Sequence, residues 1–441
     1  MTEIKVVIAG AGIAGLASAI ALRQLDRSGL KFNIHLYEKA KELREIGASI
    51  ALSPNGLRTL ERLGVSKALD DDVAFRGPSA LPMIYRHWKT NEIVSADQFA
   101  NVPDPRHQTA RFHRAHLHEA LLEHLPRENI HLDKAAESAQ ADSSGVELFF
   151  KDGTSVRGDI LIGADGLRSK VRTSFNPEHT LHWTGRTLFR STFDVSLVEG
   201  IPDLPPDSTH WWGPNHTFFA SKLGRNMYTT VGNYDPLEYS KEQHPKNVRW
   251  GQEGDVAIFR DVYKDWNPVV KALAQATPHV RLYPNLAGEP LDSWVFGSRV
   301  TLVGDAAHTH GGAYAAGGSL ALDDAWALYL SFRQVLAGVN PGEKPSLQDI
   351  YKALSLYEKT RRPHTERLVK GVLAARGAVP PDTDEALRKR MKSRPSTVWL
   401  TEHDVEAAFA GVLYEEGLVP PIQSTAGVPD QEASIRGQSR L

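Results

Sequence analysis

Cysteine is missing altogether from the 441 residues, and methionine occurs only four times. Without a thiol the chain forms no disulfide, no thiolate nucleophile and no cysteine-ligated metal site, and it suits a reducing compartment. Charge imbalance is missing too, since 51 Lys and Arg face 53 Asp and Glu for a formal net charge of −2. Bulk electrostatics therefore gives no reason to expect nucleic acid or a membrane as partner. The basic run "LRKRMKSR" at 387–394 has no interleaved stacking aromatics and reads as a solvated helix face. His308 and His310 in "HTHGG" lack a neighbouring carboxylate cluster, so no metal is expected. Neither a G-x-S-x-G elbow nor a P-loop lysine is present, which removes two common hydrolytic chemistries.

Long apolar runs are also scarce. The nearest is "VVIAGAGIAGLASAIAL" at residues 6–22, close to the roughly 18 residues that a spanning helix needs. Gly10, Gly12 and Gly15 interrupt it, and glycine is costly inside a helix. The run divides instead into a buried strand ending near Ala9, a turn, and a helix from about residue 14. No basic segment precedes the first strand, so no secretory leader and a cytoplasmic location are expected. The final Ser439-Arg440-Leu441 resembles the peroxisomal address Ser-Lys-Leu, with a chance tripeptide as the alternative.

Composition is otherwise ordinary, at 41% hydrophobic and 24% charged residues, and the length allows two domains or one large composite. "IKVVIAG", a helix, and "KFNIHLYEKA" make a βαβ start. Across its turn, Gly10-Ala11-Gly12-Ile13-Ala14-Gly15 is a G-x-G-x-x-G fingerprint between strand and helix. Gly10 allows the tight turn, Gly12 lets backbone approach a pyrophosphate, and Gly15 lets helix and strand pack closely. The pyrophosphate would sit on free N–H groups at the helix start. Glu38 ends the second strand about 20 residues on, where an acid accepts ribose hydroxyls. An acid there favours FAD or NAD over a 2′-phosphorylated dinucleotide. Lys39 and Ala51 are grouped with it as further cofactor-side candidates.

Three later motifs narrow the choice. "VTLVGDAAHTH" carries Gly304-Asp305, "GADGLRSKVR" carries Asp165, and "FHRAHLHEAL" carries Arg114. With the fingerprint, they make residues 4–370 resemble the group A flavoprotein aromatic hydroxylases, the single-component family that includes salicylate and 4-hydroxybenzoate hydroxylases. The resemblance implies that Gly304 and Asp305 contact the FAD ribityl chain. It also implies that Asp165 serves FAD and the nicotinamide donor, and that Arg114 contacts FAD. Asp305 suits that role chemically, because a carboxylate accepts hydrogen bonds from a polyol that nicotinamide dinucleotides lack. "YAAGGSLALDDAWALYL" then begins a helix whose positive end, at Gly317 and Gly318, would face the flavin pyrimidine edge. A glycine-rich loop before a core helix is the alternative for that pair. Two departures stand out. Thr309 follows His308 where many relatives have Pro, and Ala315-Ala316-Gly317-Gly318 replaces a Gly-Gln-Gly run.

Residues 181–285 change character, with many Trp, Phe, Tyr and Thr and strand-like runs "HTFFASKLG" and "NMYTTVGNY". In "TGRTLFRSTFD", Arg190 and Leu188 share one strand face and Phe189 takes the other. An inward arginine needs an anion, and in fungal relatives that hydroxylate phenols a matching arginine holds the phenolate. An interdomain salt bridge is the alternative. Tyr228 is the candidate for a catalytic tyrosine, with a core role as its alternative. "HWW" at His210, Trp211 and Trp212 either walls an aromatic pocket or covers the sheet.

The expected fold is α/β, a Rossmann-like FAD-binding domain of the glutathione reductase type, as in 4-hydroxybenzoate hydroxylase. A mixed β-sheet substrate domain is inserted and helices follow. The FAD-binding domain takes 1–75, 100–180 and 285–345; the substrate sheet takes 76–99 and 181–284. C-terminal helices fill 346–420, and 421–441 form a flexible tail. The resemblance implies a monooxygenase using FAD, NADPH or NADH, and O2 on a small aromatic, through a C4a-hydroperoxyflavin. "FRSTFD" and "AAGGSLALDDAWAL" point within it to phenols of fungal secondary metabolism, with salicylate-type decarboxylating hydroxylation as the alternative. An NAD(P)-linked dehydrogenase and a noncatalytic flavin-binding protein are the other classes. A monomer or homodimer is expected.

Overall fold

The computed structural model describes residues 2–43, 48–236, 248–375, 377 and 379–418. The expected tail at 421–441, with its C-terminal tripeptide, lies outside them. The architecture is α/β. A six-stranded sheet is ordered 295–296, 300–302, 160–163, 2–9, 30–37, 130–131, and its only antiparallel neighbour is the edge strand Val295–Phe296. The central strand Thr2–Ala9 reads "TEIKVVIA", with Val6 to Ala9 all buried, as a parallel strand covered on both faces should be. Helix Ile13–Arg23 and the long helix Gly317–Leu336 join these strands in one apolar core. The "KDG" hairpin forms as expected, pairing Val146–Phe150 antiparallel with Ser155–Gly158.

A second sheet has eight strands, ordered 252–254, 280–288, 181–194, 227–234, 217–222, 209–212, 84–87, 93–96. Its strands alternate faces. Phe189, Phe193, Tyr228 and Tyr234 turn toward helices Val256–Val262 and Pro268–Ala276 and form a separate aromatic core. Phe189 stacks on Tyr234 at 4.2 Å and 17°, a geometry worth about 0.5–1.5 kcal/mol beyond its buried area. That core fixes the register, because a one-residue slip of Leu181–Asp194 would drive Arg190 into it. Strand Val280–Gly288 runs across the expected 284/285 division: it pairs with Leu181–Asp194 of the second sheet on both sides of a register shift, and Ala287 also bridges to His310.

After Leu347–Ala374, which starts in a Ser346/Asp349 capping box, the chain crosses to the far edge of the eight-stranded sheet. There Leu387 and Met391 of helix Asp384–Lys392 bury themselves beside Tyr85, with Trp88 and Trp212 packed against them. The basic run at 387–394 thus forms the solvated face expected of it, with Lys389, Arg390 and Lys392 exposed, while its two apolar residues dock the helix on the sheet. Among the described residues no helix is long and apolar enough to cross a membrane.

Candidate cofactor and substrate site

The glycine turn folds as its residue types demand. Gly10 has φ of +104°, and a Cβ there would stand 2.4 Å from the Ala164 carbonyl oxygen. A Cβ on Gly15 would meet the Gly10 carbonyl at 2.1 Å, so both positions exclude any larger residue. Gly12 differs, because its nearest atom would be Arg114 Nη2 at 4.0 Å. The first helix therefore presents bare backbone and a guanidinium side by side, a cradle for a pyrophosphate. Glu38 reaches back to this turn, its Oε2 accepting from the Ala11 N–H at 2.9 Å and its Oε1 from Ala40 N–H at 2.9 Å. Ile13 is buried in the core, and Ala14 touches the last motif, since a Cβ on Gly304 would lie 2.9 Å from the Ala14 Cβ. Lys39 is exposed, while Ala51 is buried on the strand Ser49–Leu52.

Gly304 (φ +60°) opens the turn that holds Asp305, whose side chain is exposed where its neighbours are buried. The Gly304 N–H donates to Asp324 Oδ2 at 2.8 Å. The same carboxylate pairs with His308 Nε2 at 2.7 Å and accepts from the buried Arg361 Nε at 2.9 Å. Burial pushes the Asp324 carboxyl up, but His308, Arg361 and the Gly304 amide outweigh it and hold it below the usual range. Neighbouring Asp323 moves the other way because burial dominates, and it accepts from Asn55 Nδ2 and Thr59 Oγ1. This network, anchored in "LDDAW" and the distant Arg361, was not legible as motifs.

Gly317 begins the long helix beside Asp305 Oδ1 and His310 Nε2, at 3.8 and 3.3 Å from where its Cβ would be. Gly318 lets this helix start pack closely on the strand Ser49–Leu52. A Cβ there would strike Ile50 and Leu52 at 2.8–2.9 Å, so it is a packing glycine. Asp165 turns its carboxylate to the N–H groups of Lys170 and Val171 and to the Ser169 hydroxyl. It caps the helix Lys170–Phe175. The missed residue of that motif is Arg172, which donates to the Leu167 and Ala306 carbonyls at 2.6 and 2.9 Å and ties the middle motif to the Gly-Asp turn.

Arg190 faces this loop: its Nη2 lies 4.0 Å from where a Gly312 Cβ would be, and its guanidinium stands 5.3 Å from the Tyr283 ring. Burial depresses its pKa, Tyr283 and Asp305 oppose that, and Arg114 adds to it. Its Nε has no partner, and no salt bridge joins it to a carboxylate among the described residues. Tyr228 corrects the expectation. It pairs in register with Phe193, and alternation sends both into the helix-packed core, away from Arg190. The tyrosine beside Arg190 on this face is Tyr283, opposite Leu188 on the adjacent strand. Sequence patterning gave each strand its two faces but not the register between strands, so Tyr283 was missed. Of the "HWW" triplet, His210 and Trp212 share Arg190's side, and Trp211 is fully buried on the other.

A family described as an FAD binding domain matches residues 3–372. The chain belongs to that family. It is 28% identical over 376 residues to 6-hydroxynicotinate 3-monooxygenase of Bordetella bronchiseptica, covering 82% of this chain and 89% of that protein. It is 26% identical to salicylate hydroxylase of Pseudomonas putida, over 92% of this chain and 93% of the relative. The fold is shared with a salicylate hydroxylase substrate complex, at a TM-score of 0.73, 22% identity and 96% and 99% coverage. It is also shared with Klebsiella pneumoniae HpxO complexed with FAD and uric acid, at 0.70, 24%, and 95% and 97%. The chain is an FAD-dependent monooxygenase of the aromatic-hydroxylase group, and FAD is its cofactor. The bare backbone at Gly12 beside Arg114 and the exposed carboxylate of Asp305 are groups that would suit a pyrophosphate and a polyol.

Proposed function

We propose that this enzyme uses NAD(P)H and O2 to hydroxylate a phenolic or otherwise electron-rich aromatic, within a branch that includes phenols of fungal secondary metabolism. The observation that carries the reading is Arg190, a cation without a carboxylate partner among the described residues, beside Tyr283 and the Gly311–Gly312 loop. Bound FAD supplies the redox and oxygen chemistry. The chain's own residues do the rest. Arg190 holds the ionised hydroxyl of the substrate, which keeps electron density on the ring carbons ortho and para to it. The eight-stranded sheet covers the reacting edge and excludes water. Named relatives acting on 6-hydroxynicotinate and salicylate support a hydroxylated aromatic substrate.

The test uses the FAD-bound protein with NADH or NADPH, 18O2, and a panel of simple phenols, salicylates and orsellinic-type aldehydes. An aromatic that accelerates NAD(P)H oxidation and gains one heavy oxygen is the expected result. Loss of CO2 with that gain assigns the salicylate-type reaction. No stimulation by any aromatic would refute the reading. Arg190→Gln is expected to keep FAD while losing product formation; normal turnover by that variant assigns Arg190 a structural role.

A further inference from the structure

The pairing of six strands sets Arg281, Arg190, Val231, Phe219, His210 and Tyr85 in one cross-strand row. Directly paired residues share a face. At about 4.8 Å per strand, Arg190 and His210 stand roughly 14 Å apart in Cα position, with apolar Val231 and Phe219 between them. The row thus runs from a cation across an apolar floor to a second polar end.

That second end is built of donors. Arg111, from the strand Ala110–His113, is 6% exposed and lies with its guanidinium 5.7 Å from the Phe219 ring. Its Nη2 donates to the Pro82 carbonyl at 2.9 Å, its Nε has no partner, and no salt bridge joins it to a carboxylate among the described residues. Burial pulls it down to about 10. Arg394 stands 3.3 Å over the Tyr85 ring, and its Nη2 meets Asp97 at 2.7 Å. The Tyr85 hydroxyl donates to the same Asp97 at 2.9 Å. One carboxylate therefore faces two guanidinium groups, and the one it engages is Arg394. His210 completes the set. Its Nδ1 accepts from Trp212 Nε1–H at 3.2 Å, which leaves the ring proton on Nε2 as a donor. Burial, Arg394 and Arg111 together keep this ring neutral.

We propose that Arg111 and His210, with Arg394 at the rim, form an anion subsite that takes the carboxylate of an aromatic acid. The ring of that acid lies on Val231 and Phe219, and its hydroxylated edge faces Arg190. A buried guanidinium without an acidic partner is costly, and a ligand carboxylate supplies the missing charge and two or more acceptor positions. This inference rests on the aromatic-hydroxylase reading above and narrows its substrate class.

The experiment measures Kd on FAD-bound protein from perturbation of the flavin absorption spectrum, without turnover. The probes are matched pairs: 4-hydroxybenzoate and its primary amide, 3-hydroxybenzoate and its amide, salicylate and salicylamide. The wild type is expected to prefer the acid of at least one pair by tenfold or more. Arg111→Gln should cut that preference below threefold while leaving amide affinity and FAD content unchanged, and Arg111→Lys should restore most of it. Equal binding of acid and amide by the wild type overturns the subsite alone. So does an unchanged preference in FAD-retaining R111Q, or its loss in R190Q instead. Should R111Q fail to fold, Asp97→Asn decides: removing the carboxylate that faces both guanidinium groups should raise the acid preference, and no rise overturns the proposal. If no acid or amide perturbs the flavin, the aromatic-substrate reading itself falls and the subsite with it.

Discussion

Asp324→Asn isolates the buried network behind the Gly-Asp turn. Asp324 is fully buried and takes three donors: Gly304 N–H, His308 Nε2 and Arg361 Nε. Asparagine has the same shape but turns an amide N–H toward one of those donors and removes the charge beside Arg361. Arg361 then keeps the Leu320 carbonyl at 3.4 Å and the Asp323 carboxylate at 3.9 Å. Breaking a buried ion pair by removing one partner costs about 3–5 kcal/mol. An unfolding entropy of about 2.1 cal/mol/K per residue over roughly 400 residues gives ~0.8 kcal/mol/K, so Tm should fall by about 4–6 °C. FAD retention should weaken as well, because Gly304 positions Asp305. Asp323→Asn is the internal control. Its carboxyl is already pushed toward the neutral form by burial, so its loss should cost less than half as much. Thermal scans of apoprotein and FAD-saturated protein, with flavin content after gel filtration, test both. A D324N apoprotein within about 1 °C of wild type, or one no worse than D323N, refutes the argument.

Four further outcomes follow from particular contacts. Gly12→Ala should leave apoprotein stability within about 1 kcal/mol of wild type while losing FAD, whereas Gly15→Ala, with its 2.1 Å clash, should unfold at lower urea; equal behaviour of the two would refute the cradle. Glu38→Ala should weaken FAD retention on gel filtration, since its carboxylate holds the Ala11 amide in the turn. Tyr228→Phe should leave turnover unchanged and Tyr283→Phe should lower it, measured as product formed with any active aromatic; the reverse would invalidate the sheet register. Burial lowers His310 to about 4 from the ordinary 6.5. The unfolded chain then binds a proton in that window that the folded one does not, so stability falls with falling pH, by about 2 kcal/mol between pH 7 and pH 5. His310→Gln should make that slope shallower in urea titrations, with the buried His210 and His403 supplying the remainder.

What could be read in advance divides along one physical line. The glycine turn, Glu38 and the Gly-Asp turn are local: each needs a residue type within a few positions of a strand end, and backbone sterics leave few alternatives. Arg190 was legible for the same reason, because alternation within one strand assigns faces without knowledge of neighbours. Tyr228 and Tyr283 are the contrast. Which tyrosine shares Arg190's face depends on the pairing between strands nearly a hundred residues apart, and the aromatic core under the sheet sets that pairing. Asp165 also caps a helix and Gly318 also makes a close packing contact, and neither contact was legible in its motif, since cap geometry and side-chain clashes appear only in three dimensions. Arg111 is the furthest case. No motif in "TARFHRAH" marks Arg111, whereas the family pattern marks Arg114 three residues on. Arg111 lies within the strand and Arg114 opens the helix that follows. From those positions one guanidinium stands over Phe219 on the sheet and the other beside Gly12 at the glycine turn. Two arginines of one strand–helix junction thus serve the two halves of the molecule. The substrate charge that this arrangement implies follows from the pairing of distant strands, not from any motif.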